Sequence, residues 1–321
     1  VQRPPREDQR VGYRRVMPYQ WDPLDLGESD LDADDPEEQM GSKEKNWVRV
    51  SGDDRRWLVK VARVDDRDGT VSGEDWAEWL VQHIANSVGV PTAHVRPAFF
   101  EGQRSTASRS MLRDDSERLI HGNELLSARF PDYDQSIRGE NPGYTLSAIQ
   151  GAVAGIPGPP ELKTRLDAFD TIAGYLMCDA LVAGRDRHHE NWGVIRHEDE
   201  RWMAPSFDHG NALGFQERDG KRSRLLGDYE LFDRWVNRGT SQHFVGRPKL
   251  VDLAIDALRM SSPDARDYWL DHLQSFRARE VEAELGSTPH EVMSEVSRRF
   301  VISLLDTNRR RLLDGYSATP A

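Results

Sequence analysis

The chain has 321 residues, of which 43 are Lys or Arg and 55 are Asp or Glu, for a formal net charge of -12 at pH 7. That length suffices for one large domain or for two lobes with a cleft between them. The acidic balance excludes a nucleic-acid binder working through a broad basic face, and the single cysteine, Cys178, excludes an intrachain disulfide. No apolar run approaches the ~20 residues that span a bilayer, and no signal-peptide pattern opens the sequence. The expectation is a soluble, cytoplasmic protein with no membrane association and no direct nucleic-acid partner.

Residues 1–38 are polar and turn from basic to acidic, with Asp22, Asp25, Glu28, Asp30, Asp32, Asp34, Asp35, Glu37 and Glu38 in one run. Such a run reads as a solvated, flexible arm. From Met40 the character changes. Gly41-Ser42-Lys43-Glu44-Lys45 leads into Asn46–Val50, a turn follows at Ser51–Asp54, and Arg56–Val61 completes a strand pair. A glycine-containing loop ahead of a strand with a lysine suits a nucleotide site. Backbone N–H groups at Gly41, Ser42 and Lys43 approach phosphates, and the Lys60 ammonium adds a point charge. The loop is neither a P-loop nor G-x-G-x-x-G and is weak by itself; Lys60 alone reads equally as a solvated strand residue.

Glu74 to Val88 places Trp76, Leu80, Ile84 and Val88 on one helical face. Gly89-Val90-Pro91 supplies the stop, and Glu78 lies early on the helix, near the apolar seam. His94–Phe100 reads as one strand and Arg109–Arg113 as another, leading toward a connection between lobes. Residues 131–160 are loop-like, with a short helix at Thr145–Ala154. From Leu162 onward, Leu166, Phe169, Ile172, Ala173, Leu176, Met177, Ala180 and Leu181 form the pattern of a buried helix. It delivers the chain into Gly184 and a polar loop. After Gly214 the chain is polar and then helical, at Leu250–Met260, Asp267–Leu285 and Glu291–Leu313. Arg222, Arg224, Arg234, Arg238 and Arg247 are candidates for a phosphate or an acidic substrate, or plain surface residues.

The chemistry concentrates in two stretches. Asp186, His188 and Asn191 form a D-x-H-x-x-N loop, and Asp208 ends the far strand of an expected hairpin, in Ser206-Phe207-Asp208-His209-Gly210. One carboxylate can orient an attacking hydroxyl, while an amide and a second carboxylate can hold Mg²⁺ on nucleotide phosphates. Any one of these residues alone would more often cap a helix or brace a turn. Their combination with Lys60 and Glu78 carries the reading.

G-x-D-R-H-x-x-N followed by F-D-x-G resembles the HipA-like serine/threonine kinases and, in the order of the loop, the phosphatidylinositol 3- and 4-kinase superfamily. The segment from Glu78 to Pro91 and the stretch Leu119–Leu126 are similar to HipA-like sequences too. The resemblance implies an α+β, two-lobed protein-kinase-like fold. Behind the arm would stand a small β-rich N-lobe with one helix (residues 39–115) and a larger, mainly helical C-lobe (residues 116–321). It implies Asp186 as catalytic base, His188 packing behind the loop or helping to order Asp186 and the transferred phosphate, Asn191 and Asp208 as metal ligands, and Glu78 paired with Lys60. Adenine would lie against residues 111 to 113. ATP and Mg²⁺ follow as cofactors, a protein Ser or Thr hydroxyl as acceptor, and an antitoxin-like regulator as partner. Met40 stands where some members carry an autophosphorylated loop serine, with Ser42 displaced from that place. The other readings are a lipid or small-molecule kinase, a nucleotide-binding pseudokinase, and a metallohydrolase built on His188, His189, His197, Asp208 and His209.

Overall fold

Short apolar–polar alternations in the first third of the chain build a sheet that closes on itself. The structure, a computed structural model, describes residues 20–32, 45–162 and 164–318. Strand β1 (Leu24–Leu26) comes first, then the expected hairpin of β2 (Lys45–Arg49) and β3 (Arg56–Val61). Helix α1 (Glu74–Ser87) follows, then β4 (Val95–Phe100) and β5 (Gln103–Arg109). The strand order is β1-β4-β5-β3-β2, with β1 parallel to β4 and the other neighbours antiparallel. Register places Lys60 between Lys45 on β2 and Thr106 on β5.

Beyond β1, Leu31 bridges Val48 on β2 at the opposite edge, and the Asp32 N–H donates to the Trp47 carbonyl at 2.9 Å. Residues 24–32 therefore join the two edges, and closure removes unpaired strand edges. Leu26, Val48, Trp57, Val59, Ala98, Phe100 and Ala107 fill the interior. This corrects the expectation of a flexible arm for residues 24–32. The acidic count conceals Leu24 and Leu26, spaced two apart on the inward face. Residues 1–19 and 33–38 of the expected arm lie outside the described residues.

Helix α1 runs between this sheet and the rest of the molecule, buried from Glu74 to Ala85. Asp75 accepts a two-pronged bond from Arg104 of β5, at 2.8 and 2.7 Å. His83 stands edge-on to Trp79, ring centroids 4.8 Å apart, and burial pushes its imidazole pKa down to about 3. A histidine kept neutral in the folded state binds fewer protons than in the unfolded chain, so stability falls as pH drops below the unfolded value near 6.5. Going from pH 7 to pH 5 should cost this site about 2 kcal/mol. Thermal unfolding of His83→Phe should show a smaller loss of melting temperature over that interval than the parent; equal losses would remove His83 as the cause.

The strand expected at Arg109–Arg113 lies upstream, in β5. Past Arg109 the Ser110 hydroxyl accepts from the Leu112 N–H at 3.2 Å and turns the chain out of the sheet. A second, three-stranded sheet then forms, in the order β6 (Glu117–His121), β7 (Gly193–His197), β8 (Glu200–Met203). Between β6 and β7 come α2 (Gly122–Arg129), α3 (Leu146–Ala152) and α4 (Ala168–Val182). Helix α4 is buried along its whole length and starts later than its apolar pattern suggests. Asp167 caps it by accepting from the Asp170 N–H at 2.7 Å, and Asp170 reciprocates.

The region after Gly214 contains α5 (Asp219–Leu226) and α6 (Tyr229–Val236), followed by α7 (Leu250–Met260) as expected. The single helix expected over Asp267–Leu285 is instead α8 (Pro263–Ser275), a 3-10 turn at Ala278–Val281 and α9 (Glu282–Ser287). The break has a local cause. Arg277 Nη1 donates to the carbonyls of Gln274, Ser275 and Phe276, at 2.5, 3.0 and 2.8 Å, and satisfies the helix end. Helix α10 (Glu295–Ala318) closes the chain. The arrangement is the two-lobed α+β architecture expected from the sequence. Among the described residues, no helix is long and apolar enough to cross a membrane.

Candidate active site

A cleft of about 820 Å³ lies between the lobes. Trp47, Leu58, Lys60, Met111 and Leu112 line one side; Asp186, His188, Asn191, Asp208 and His243 line the other. The volume suits a nucleotide-sized ligand.

The loop that carries Asp186 is staked from below. Helix α4 ends at Ala183 in the left-handed conformation, φ 56°. Arg187 then points inward and donates to both carboxylate oxygens of Asp179 on α4, at 2.8 and 2.7 Å. Its Nη1 donates to the Asn191 carbonyl at 2.7 Å. The Tyr144 hydroxyl donates to the Arg187 carbonyl at 3.1 Å and accepts from Trp192 Nε1 at 2.8 Å. Burial works against the Arg187 charge, but Asp179 overrides it and raises the guanidinium pKa further above its usual range. With Arg187 locked inward, Asp186 and His188 on either side of it reach the cleft.

Asn191 Nδ2 donates to the Asp186 carbonyl at 2.7 Å, so its Oδ1 is the atom left to serve as an acceptor. Asp186 Oδ1 accepts from His243 Nε2 at 2.8 Å. Burial pushes the Asp186 carboxyl up, but this bond and the fields of His188 and His243 outweigh it and hold it below the ordinary value. Asp186 is thus ionised at neutral pH and able to accept a proton. Burial pushes His188 down to about 4, against the pull of Asp186, so its ring is neutral. Its Nδ1 accepts from the Glu190 N–H at 3.2 Å, and its ring packs 5.1 Å from that of His243. Within the loop His188 thus holds the main chain at Glu190 and packs beside His243.

Asp208 lies beyond β8 with φ 61°, a left-handed conformation that Asp tolerates better than most residues. Its Oδ1 is 2.8 Å from Lys60 Nζ. Burial disfavours the Lys60 charge, but Asp208 and then Glu78 more than restore it. The expected Lys60–Glu78 pairing takes a different form. Lys60 makes its direct ion pair with Asp208, while Glu78 accepts the His209 N–H at 2.9 Å and acts on Lys60 through its charge. A Cβ at position 210 would stand 3.2 Å from Glu78 Oε2, so glycine there leaves Glu78 room to reach the main chain beside Asp208.

The structure thus brings Lys60, Glu78, Asp186, His188, Asn191 and Asp208 to one place. Gly41, Ser42 and Lys43, like Met40, lie outside the described residues. The histidine cluster required by the metallohydrolase reading is not assembled. His189 Nδ1 bonds the Tyr133 hydroxyl at 2.6 Å and His209 Nε2 bonds the Ser206 hydroxyl at 2.8 Å. Among the described residues no three His, Cys, Asp or Glu groups are placed to hold a metal. Sequence reasoning missed Asp179, Arg187 and His243. Asp179 had a signal, a lone acid inside the apolar run Leu176–Leu181; His243, 57 residues from Asp186, had none.

No protein-family model matches this chain. A curated relative, the serine/threonine-protein kinase CtkA of Helicobacter pylori, is 26% identical over 287 residues, spanning 87% of this chain and 84% of the relative. The crystal structure of the Helicobacter pylori proinflammatory kinase CtkA aligns with a TM-score of 0.66 at 16% identity, over 92% of this chain and 97% of that one. HipA of Shewanella oneidensis MR-1, solved with HipB and operator DNA, aligns more loosely, with a TM-score of 0.47 at 11% identity, over 83% of this chain and 61% of that one. The closed sheet, the cleft and the near-complete overlay on CtkA lead to one conclusion: the chain has a two-lobed protein-kinase-like fold and is similar to a serine/threonine-protein kinase over most of both chains.

Proposed function

We propose that the protein transfers the γ-phosphate of ATP, in the presence of Mg²⁺, to a Ser or Thr hydroxyl of a protein. The observation that carries this is the Lys60–Asp208 contact at 2.8 Å, on a cleft that Asp186 and Asn191 also line. The donor set fits a hard divalent cation. Asn191 keeps its amide oxygen for the cleft because its nitrogen is committed to Asp186, and Asp208 supplies a carboxylate. Those two residues would hold Mg²⁺, which when bound neutralises charge on the β- and γ-phosphates.

Every other task falls to the chain itself. Lys60 binds the α- and β-phosphates, and Glu78 fixes the backbone next to Asp208. Met111 and Leu112 offer an apolar wall for adenine where residues 111 to 113 were expected to receive it. Gly41, Ser42 and Lys43 retain their proposed part in covering the phosphates. Asp186 accepts the proton of the attacking hydroxyl. The name of CtkA, a serine/threonine-protein kinase, supports a protein hydroxyl as acceptor. An antitoxin-like regulator and a cytoplasmic location rest on the sequence resemblance and composition alone.

The test is incubation of the protein with γ-labelled ATP, Mg²⁺ and a lysate of the source cell. Acid-stable label on Ser or Thr of a protein is the expected result. Label in the lipid extract would move the acceptor to another class. ATP binding with no transfer to any fraction would reduce the protein to a nucleotide-binding relative of kinases.

A further inference from the structure

The stretch between α6 and α7 drew attention in the sequence for its arginines, yet Arg238 and Arg247 are exposed, and Arg247 pairs with Glu140 at 3.2 Å. The residue this stretch sends into the cleft is His243. Its side chain is 15% exposed, and its Nε2 meets Asp186 Oδ1 at 2.8 Å. The main chain on both sides is anchored. The His243 carbonyl accepts from the Asn141 N–H at 3.0 Å, and the Gln242 N–H donates to the Arg185 carbonyl at 3.3 Å. Phe244 is buried against Tyr144, ring centroids 4.3 Å apart. Tyr144 in turn holds the Arg187 carbonyl. Donor and acceptor of the His243–Asp186 bond therefore hang from the same buried tyrosine, which keeps their separation fixed. The neutral His188 ring, 5.1 Å away, closes the other flank.

We propose that His243 is a positioning residue for phosphoryl transfer: its Nε2–H fixes Oδ1 of Asp186, so that Oδ2 is presented to the acceptor hydroxyl. This rests on the kinase reading above. Among the described residues Oδ2 has no hydrogen-bond partner, and Asp186 faces the cleft. In the step, the acceptor O–H bond breaks and its proton goes to Oδ2 of Asp186. The acceptor oxygen forms its bond to the γ-phosphorus. The bond from that phosphorus to the β–γ bridging oxygen breaks, and its electron pair leaves with ADP. His243 keeps its own proton throughout. The carboxylate torsion of Asp is intrinsically broad, so without His243 the group samples orientations in which neither oxygen meets the acceptor. The bond to a charged acceptor also disappears, and hydrogen bonds of that kind account for factors of roughly 10–100.

The test compares His243→Leu, which removes the donor, with His243→Gln, whose amide nitrogen reaches about where Nε2 stands. Asp186→Asn is the control. His243→Leu should lower kcat by roughly 10–100-fold while KM for ATP stays within about threefold, because Lys60, Asn191 and Asp208 are untouched. His243→Gln should recover most of the loss. Equal loss in both variants, or a kcat for His243→Leu within about threefold of the parent, overturns the proposal. If Asp186→Asn also retains parental transfer, or the parent transfers nothing, the kinase reading itself has failed and the inference falls with it. A readout independent of activity accompanies these: in ¹⁵N-histidine spectra the His243 Nε2 signal should be that of a protonated, hydrogen-bonded nitrogen and should shift in Asp186→Ala. No shift would remove the bond itself.

Discussion

Asp186→Asn should lower kcat for phosphoryl transfer by roughly 10²–10⁴-fold, the usual worth of a positioned general base, while ATP affinity changes little. The amide preserves shape and can still meet His243, but it cannot take a proton from the acceptor. Asp208→Asn should be at least as damaging and should differ in kind. It removes the carboxylate proposed to hold Mg²⁺ and the anion 2.8 Å from Lys60. Nucleotide affinity in Mg²⁺ should therefore fall together with kcat. The fold should survive, because Glu78 still accepts the His209 N–H and keeps charge near Lys60. Single-turnover transfer and calorimetric ATP binding, measured side by side, separate the two roles. Transfer within about threefold of the parent in either variant would sink the assignment.

Asp179→Leu should destabilise the protein by roughly 3–5 kcal/mol, because it strands a buried guanidinium. Arg187 and Asp179 are only 7% and 8% exposed at their side chains, and Arg187 donates twice to Asp179 and once to the Asn191 carbonyl. Arg187→Met should cost a similar amount by stranding the acid. The double variant should be less harmed than the sum of the two, since an apolar pair of similar volume carries no desolvation cost. Denaturant unfolding of all three variants measures this. Activity should not return with stability in the double variant, because the Asn191 carbonyl loses its donor and the loop between Asp186 and Asn191 loses its stake. Additive destabilisation would show that the two residues act independently. Recovered activity would show that the loop keeps its shape without them.

The parts of the site that could be read in the sequence are those whose partners lie a few residues away. Asp186, His188 and Asn191 share one loop, and the bond from Asn191 to the Asp186 carbonyl closes over five residues. Asp208 ends the short stretch beyond β8, and helix α1 announces itself by apolar spacing. Local sterics and hydrogen bonding decide such features, so residue type and spacing reveal them. Composition misled where it averaged over a strand: nine acids outweigh Leu24 and Leu26, whose spacing places them inside the closed sheet.

Sequence alone determined the identity of the candidate groups and the periodicity of the elements that bear them. Tertiary structure decided which groups meet. It joined β1 and Leu31 to opposite edges of one sheet, set Arg187 on Asp179 beneath the loop, gave Lys60 to Asp208 and Glu78 to the His209 main chain, and brought His243 to Asp186 across 57 residues. The physical reason is that each of these contacts depends on how buried surfaces settle against one another. That balance of packing and desolvation is summed over the whole molecule and leaves no repeat or spacing along the chain.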